Sequence, residues 1–149
     1  TIINKLAGRN ATKAAATPGQ TKTQIWVKVD KDTELLDTPG IMPPKIDKKI
    51  HGMWLAAIHA IPDHVVTPDE SACFLIEHFR KNNSRAFMEQ YKFEEAPADL
   101  LSACDHIGKV RGCLQKGGVI DYDQVYKIVL NEFRKGLLGT TSFELPPEI

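Results

Sequence analysis

Cysteine is scarce in this chain: Cys73, Cys104 and Cys113 are the only three among 149 residues, and no two form a C-x-x-C pair. That excludes a disulfide framework and points to a reducing compartment. Long apolar runs are missing as well. No segment approaches the roughly 20 residues needed to cross a bilayer, and the start lacks the basic-then-apolar profile of a secretory leader. Net charge is absent too, since nineteen Lys/Arg face nineteen Asp/Glu for a formal +0. Taken whole, that balance predicts no nucleic-acid, membrane or acidic partner. There is no internal repeat and no low-complexity tract. With 42% hydrophobic and 26% charged residues, the chain has the composition of a globular protein and not of a disordered or collagen-like one. An initial Met is lacking, and Thr1-Ile2-Ile3-Asn4 reads as the interior of a longer protein.

The charge balance conceals two unlike halves. Residues 1–62 hold nine Lys/Arg and five Asp/Glu, a net of +4, and residues 63–149 hold ten and fourteen, a net of −4. Their patterning differs too. Residues 1–6 read as the tail of a helix that Gly8 ends, and 14–23 as a small, polar loop broken by Pro18-Gly19. Residues 24–29 alternate, with Ile25, Val27 and Val29 on one face, and a polar turn leads into 33–36, which predicts a β-hairpin. Asp37-Thr38-Pro39-Gly40 stops the second strand, and Pro43-Pro44 forbids regular structure beyond it. Helical spacing over 48–61 precedes Pro62. Thereafter only helices are predicted: one opened by a Thr67/Glu70 capping box with Ala72, Leu75, Ile76 and Phe79 as its buried stripe, two at 84–91 and 97–107, and one over 121–135 opened by Asp121 and Gln124. The expected organisation is therefore an α/β piece, 1–62, followed by an all-α piece, 63–149.

The chemistry lies in the hairpin. A D-x-x-G string is weak alone, but here it ends an apolar strand, where a carboxylate can face a bound Mg²⁺ and a glycine N–H can approach a terminal phosphate unobstructed. Thr21, sixteen residues before Asp37, supplies the hydroxyl such a metal site wants.

Three pieces in register make this specific. Thr1-Ile2-Ile3-Asn4-Lys5-Leu6 resembles the stretch directly after the Gly-Lys-Ser of a P-loop, Thr21 in Pro18-Gly19-Gln20-Thr21 resembles a switch I threonine, and Asp37 to Gly40 resembles a switch II motif. The guanine-reading Asn-Lys-x-Asp motif expected further on is missing: Asn4-Lys5 is followed by Leu6-Ala7. A circular permutation, with the guanine motifs N-terminal to the P-loop, accounts for this. Trp26-Val27-Lys28-Val29, Glu34-Leu35-Leu36-Asp37-Thr38-Pro39-Gly40-Ile41, Arg111-Gly112-Cys113-Leu114, Asp121-Tyr122-Asp123 and Ser142-Phe143-Glu144 carry the resemblance along essentially the whole chain. It is to the ribosome biogenesis GTPase A (YlqF) family, circularly permuted GTPases of the TRAFAC class. Pro43-Pro44-Lys45 stands where that family usually has Trp-Pro-Lys.

The resemblance implies the P-loop half of a permuted α/β GTPase domain followed by an all-α C-terminal domain that binds RNA. It implies a GTP-hydrolysing factor for late assembly of the large ribosomal subunit. Thr1, Thr21, Asp37 and Gly40 would bind GTP/GDP, and Thr21 and Asp37 Mg²⁺, with K⁺ as an optional further cation. The partners implied are the large-subunit precursor and its rRNA, without DNA or membrane insertion, for a monomer in the bacterial cytoplasm or, in a eukaryote, the mitochondrion. This stretch alone is expected to be inactive. Ile41 follows Gly40 where many GTPases place a water-orienting glutamine, so slow intrinsic turnover is expected.

Residues 108–118 hold Lys109, Arg111 and Lys116 among four glycines and no acid, which suits flexible contacts to phosphate; Lys127 and Arg134 would extend that RNA footprint. Cys104, His106 and Cys113 lack zinc-site spacing, and the remaining histidines are scattered singly. A different class of function for the same residues is a nucleotide-independent RNA- or protein-binding module on a relic GTPase fold.

Overall fold

Six residues of helix, Ile2–Ala7 (α1), open the computed structural model, which describes residues 2–11, 24–37, 45–82 and 84–143. Gly8 ends α1 at φ +62°, a left-handed position that glycine takes without steric cost. Strands β1 (Ile25–Lys28) and β2 (Glu34–Asp37) pair antiparallel, with Ile25 opposite Asp37 and Lys28 opposite Glu34. Asp30 shapes the turn between them: its carboxylate accepts from the Asp32 N–H at 2.8 Å, while the Val29 N–H donates to the Thr33 carbonyl at 3.0 Å. The bond from Asp32 holds the Asp30 carboxyl below the usual carboxylate range. Of the apolar face predicted for β1, Val27 is buried and Ile25 stays 46% exposed.

Residues divide into two compact units, Thr1–Lys45 and Ile46–Ile149. The second begins seventeen residues before the piece expected to start at 63, because α2 (Lys49–Ala57) packs against α3 (Pro68–Lys81) and α6 (Tyr122–Arg134). The helical pattern read over 48–61 is shorter in the structure. After Ala57 the chain unwinds through His59 at φ +59°, and the Ala60 N–H donates back to the Leu55 carbonyl at 2.7 Å. Two more helices, α4 (Arg85–Gln90) and α5 (Leu100–Arg111), complete the named elements of this unit among the described residues.

Capping chemistry sets the helix starts. The Glu70 carboxylate accepts from the Thr67 N–H at 3.3 Å and from its hydroxyl at 3.1 Å. Asp121 accepts from the Gln124 N–H at 3.0 Å. A third cap escapes the sequence reading, which starts α5 at 97. Asp99 accepts from the Ser102 N–H at 2.7 Å and the Ser102 hydroxyl answers, so the helix starts later.

Helix α3 is central, packing on α2, α5 and α6. Its stripe Ala72, Leu75, Ile76 and Phe79 is buried as the 3.6-residue period requires, and it meets Ile107 of α5 and Val125 and Val129 of α6 in one core. Each large side chain so buried contributes about 1.5–3 kcal/mol. Phe79, Phe87, Tyr91 and Phe93 form a run of ring contacts with centroids 5.1–6.4 Å apart.

Candidate functional site

The hairpin delivers Asp37 as the last residue of β2, with its register fixed by the pairing to Ile25. Its side chain is half-buried and makes no hydrogen bond or ion pair among the described residues. An oxygen donor left unengaged at a strand end suits a hard cation such as Mg²⁺, which takes one or two carboxylates and completes its shell with phosphates and water. Arg9 ties the segment after α1 to this hairpin, donating from Nη2 to the Lys28 carbonyl at 3.1 Å. Thr1, Thr21 and Gly40, the other expected nucleotide residues, lie outside the described residues, as does Ile41.

Residues 1–101 match the sequence profile of the 50S ribosome-binding GTPase family. This chain belongs to that family. It is 43% identical to ribosome biogenesis GTPase A of Bacillus cereus over 148 residues, 99% of this chain and 50% of that protein. Identity to ribosome biogenesis GTPase A of Thermotoga maritima is 30% over 149 residues, all of this chain and 53% of that protein. The nuclear GTP-binding protein NUG1 of Saccharomyces cerevisiae is 30% identical over 156 aligned positions, which cover 93% of this chain and 30% of that protein. The chain spans about half the length of the bacterial relatives. Among its described residues no helix is long and apolar enough to cross a membrane.

The five cations expected to face RNA divide in two. Lys109 in the last turn of α5, Lys116 in the following turn and Lys127 on α6 are exposed and form no ion pair among the described residues. Arg111 is partly buried, its side chain 28% exposed. It pairs with Glu132 at 2.8 Å, lies 5.3 Å from the centroid of the Tyr91 ring and donates to the Gln90 carbonyl. Glu132 is only 14% exposed and needs that partner, since a buried carboxylate without one is costly. Burial, with Glu132 adding to it, pushes the Tyr91 phenol well above its ordinary range. Arg134 is an exposed residue whose head group also serves the fold, donating to the carbonyls of Ala57 at 2.9 Å and Ala56 at 3.1 Å at the C-terminal end of α2. Partial burial lowers its pKa from the ordinary arginine value.

The stretch 108–118 is also more ordered than its glycines suggest. Its first residues are the last turn of α5, and Gly112 ends the helix at φ +69°. Beyond it Leu114 bridges Ile120, and the Gln115 N–H donates to the Val119 carbonyl at 2.8 Å. Gly108 serves packing and not flexibility: a Cβ there would lie 2.8 Å from Cγ2 of Ile120. Cys104 and Cys113 are core residues, and burial pushes the Cys104 thiol up to about 12. His106 stacks on Phe93 and bonds the Tyr91 carbonyl at 2.9 Å.

One cluster went unread in the sequence. Trp54 of α2 is stacked by Phe143 at 4.7 Å, and His78 of α3 meets it edge-on at 4.8 Å. His78 is held in turn by a 3.0 Å contact with the Thr141 hydroxyl. These rings border a cleft of about 510 Å³, with Lys48 and Asn82 at its walls. The signals in the sequence are Phe143, an aromatic in a polar stretch, and the cationic entry to α2 at Lys48 and His51.

Proposed function

We propose that this chain is the P-loop half of a circularly permuted GTPase, continued by a helical RNA-binding domain, from a factor that assembles the large ribosomal subunit. The observation that carries the reading is Asp37, without a hydrogen-bond or ion-pair partner among the described residues, at the end of a short antiparallel hairpin within a chain of the 50S ribosome-binding GTPase family. The names of relatives, ribosome biogenesis GTPase A and nuclear GTP-binding protein, support it.

In this reading Thr21 and Asp37 hold Mg²⁺, Gly40 presents its N–H to the terminal phosphate, and Thr1 contacts phosphate at the start of α1. Bound Mg²⁺ would neutralise charge developing on the phosphate oxygens. The chain's part is positioning: β2 sets the carboxylate, and the threonine loop and the Asp37-to-Gly40 segment are held together only while the terminal phosphate is present. Loss of that phosphate releases both segments and changes affinity for the particle. Ile41 cannot orient water, so the polar group that does so lies elsewhere, and hydrolysis is fast only when the particle completes the site. GTP/GDP and Mg²⁺ are the ligands, K⁺ an additional one; the protein acts as a monomer in the bacterial cytoplasm, or in a mitochondrion. Lys109, Lys116 and Lys127 supply contacts to rRNA phosphates.

The test measures GTP hydrolysis by the full-length protein with and without large-subunit particles. Particles are expected to raise kcat, and Asp37→Ala to lower kcat/KM by about 10²-fold or more in both conditions. Equal turnover with and without particles overturns the particle-completed site. Particle binding that ignores nucleotide, judged by sedimentation, overturns the switch.

A further inference from the structure

The cleft beside Trp54 is lined by none of the residues given a nucleotide or phosphate role above, and its chemistry points to a ligand. Trp54 is 3% exposed, and Phe143 covers one of its faces with the two rings nearly parallel, 12° apart. Phe143 itself is 41% exposed, so the residue on top of this pile is only partly covered. Such an offset stack of planar groups is the platform on which unpaired bases are held, and it is indifferent to base identity.

Charge complements the platform. The titratable side chains lining the cleft are Lys48, His51 and His78, without a carboxylate among the described residues. Lys48 is exposed and also stands at the N-cap of α2, whose first turn receives no side-chain cap. Backbone donors of that turn and the ammonium group therefore favour an anion at the same end of the cleft. Asn82 is exposed on another wall and adds an amide. The volume, about 510 Å³, is within the roughly 300–1,000 Å³ of small-ligand pockets.

We infer that this cleft is a single-nucleotide site for unpaired ribosomal RNA, with a base stacked on Phe143 over Trp54 and its phosphate beside Lys48. The inference rests on the reading that the helical unit meets RNA, and it adds which nucleotide state is recognised: an extruded base, not a duplex. It also places the contact on α2, the helix that begins at Lys49, twelve residues after Asp37.

A photo-crosslinker tests the occupant directly. Full-length protein carrying Phe143→p-benzoylphenylalanine is irradiated with immature large-subunit particles, and adducts are separated into RNA and protein. Adducts on an unpaired rRNA nucleotide are expected. Adducts on a ribosomal protein overturn the site in favour of a protein-docking cleft, and the absence of adducts overturns it outright. In parallel, Phe143→Ala and the exposed-site variant Lys48→Ala are titrated with a single-stranded 12-mer ribo-oligonucleotide and with a duplex of equal length. Each is expected to bind the single strand about tenfold more weakly, with the duplex unaffected. If wild-type protein binds the particle and both variants bind the single strand as it does, the cleft is not the site, while the broader reading stands. If wild-type protein binds neither oligonucleotide nor particle, both readings fall.

Discussion

Arg111 shows how a cation that looks available becomes part of the interior. It stands between Val110 and Gly112 in a stretch of glycines and cations, yet its guanidinium is occupied by Glu132, the Tyr91 ring and the Gln90 carbonyl. Arg111→Ala is therefore expected to cost about 2–3 kcal/mol of stability in urea unfolding, since Glu132 would be left without its counter-ion, the partial exposure of the pair moderating the loss. Lys109→Ala, by contrast, should leave the unfolding midpoint within about 0.5 kcal/mol of wild type. Glu77 makes a second residue-scale case. Arg80 grips its carboxylate at 2.7 and 2.9 Å, with Lys81 at 3.1 Å, and the Arg80 guanidinium holds the Glu77 carboxyl down at about 2. A carboxylate with a depressed folded-state pKa stabilises above its ordinary value, near 4.5, and that contribution fades as pH falls towards 2. The expected outcome is a loss of stability of about 1 kcal/mol across that window in pH-dependent urea melts, absent in Glu77→Gln.

Elements in the second unit are held by their ends as much as by their faces. Arg80 reaches from α3 to the carbonyls of Pro97 and Ala98 at 3.2 and 3.1 Å, fixing the approach to α5, and Arg134 of α6 closes the end of α2. Past α6, Gly136 at φ +75° stops the helix as its sequence predicts, and Leu138 returns to the core with no exposure. Gly139 sits at φ +86°, where a Cβ would also lie 2.8 Å from that of Ala86. Strain and overlap act together there, so Gly139→Ala is expected to destabilise by about 2–4 kcal/mol in denaturant titration. Because 139 leads into Thr141 and Phe143, the same variant should also weaken the stack on Trp54. Helix identity was legible from period and caps. Helix ends were less so: α2 stops at Ala57 and α5 waits until Leu100, because backbone bonds at 55–60 and the Asp99–Ser102 cap override the apolar period.

At the scale of the whole molecule, zero net charge says little about RNA, because contacts to phosphate are local. If Lys109 and Lys116 each neutralise one phosphate, their joint replacement by Ala should flatten the slope of log K against log salt for particle binding by about two. An unchanged slope would remove them from the interface. The hairpin, the run of helices and the cap at Thr67 were all readable in residues that act on near neighbours: Gly8, the 25–29 alternation, the Asp37 to Gly40 stop, the 72–79 stripe. Such features are determined by the sequence itself because period, turn chemistry and capping are properties of short stretches. The tertiary structure alone decided which of these cations also serve the fold, by setting Glu132 against Arg111 and two α2 carbonyls against Arg134, 77 and 78 residues distant. It alone brought Phe143 onto Trp54 from 89 positions away. Contacts across such separations depend on how helices dock, and docking follows the summed fit of a core that no single segment encodes.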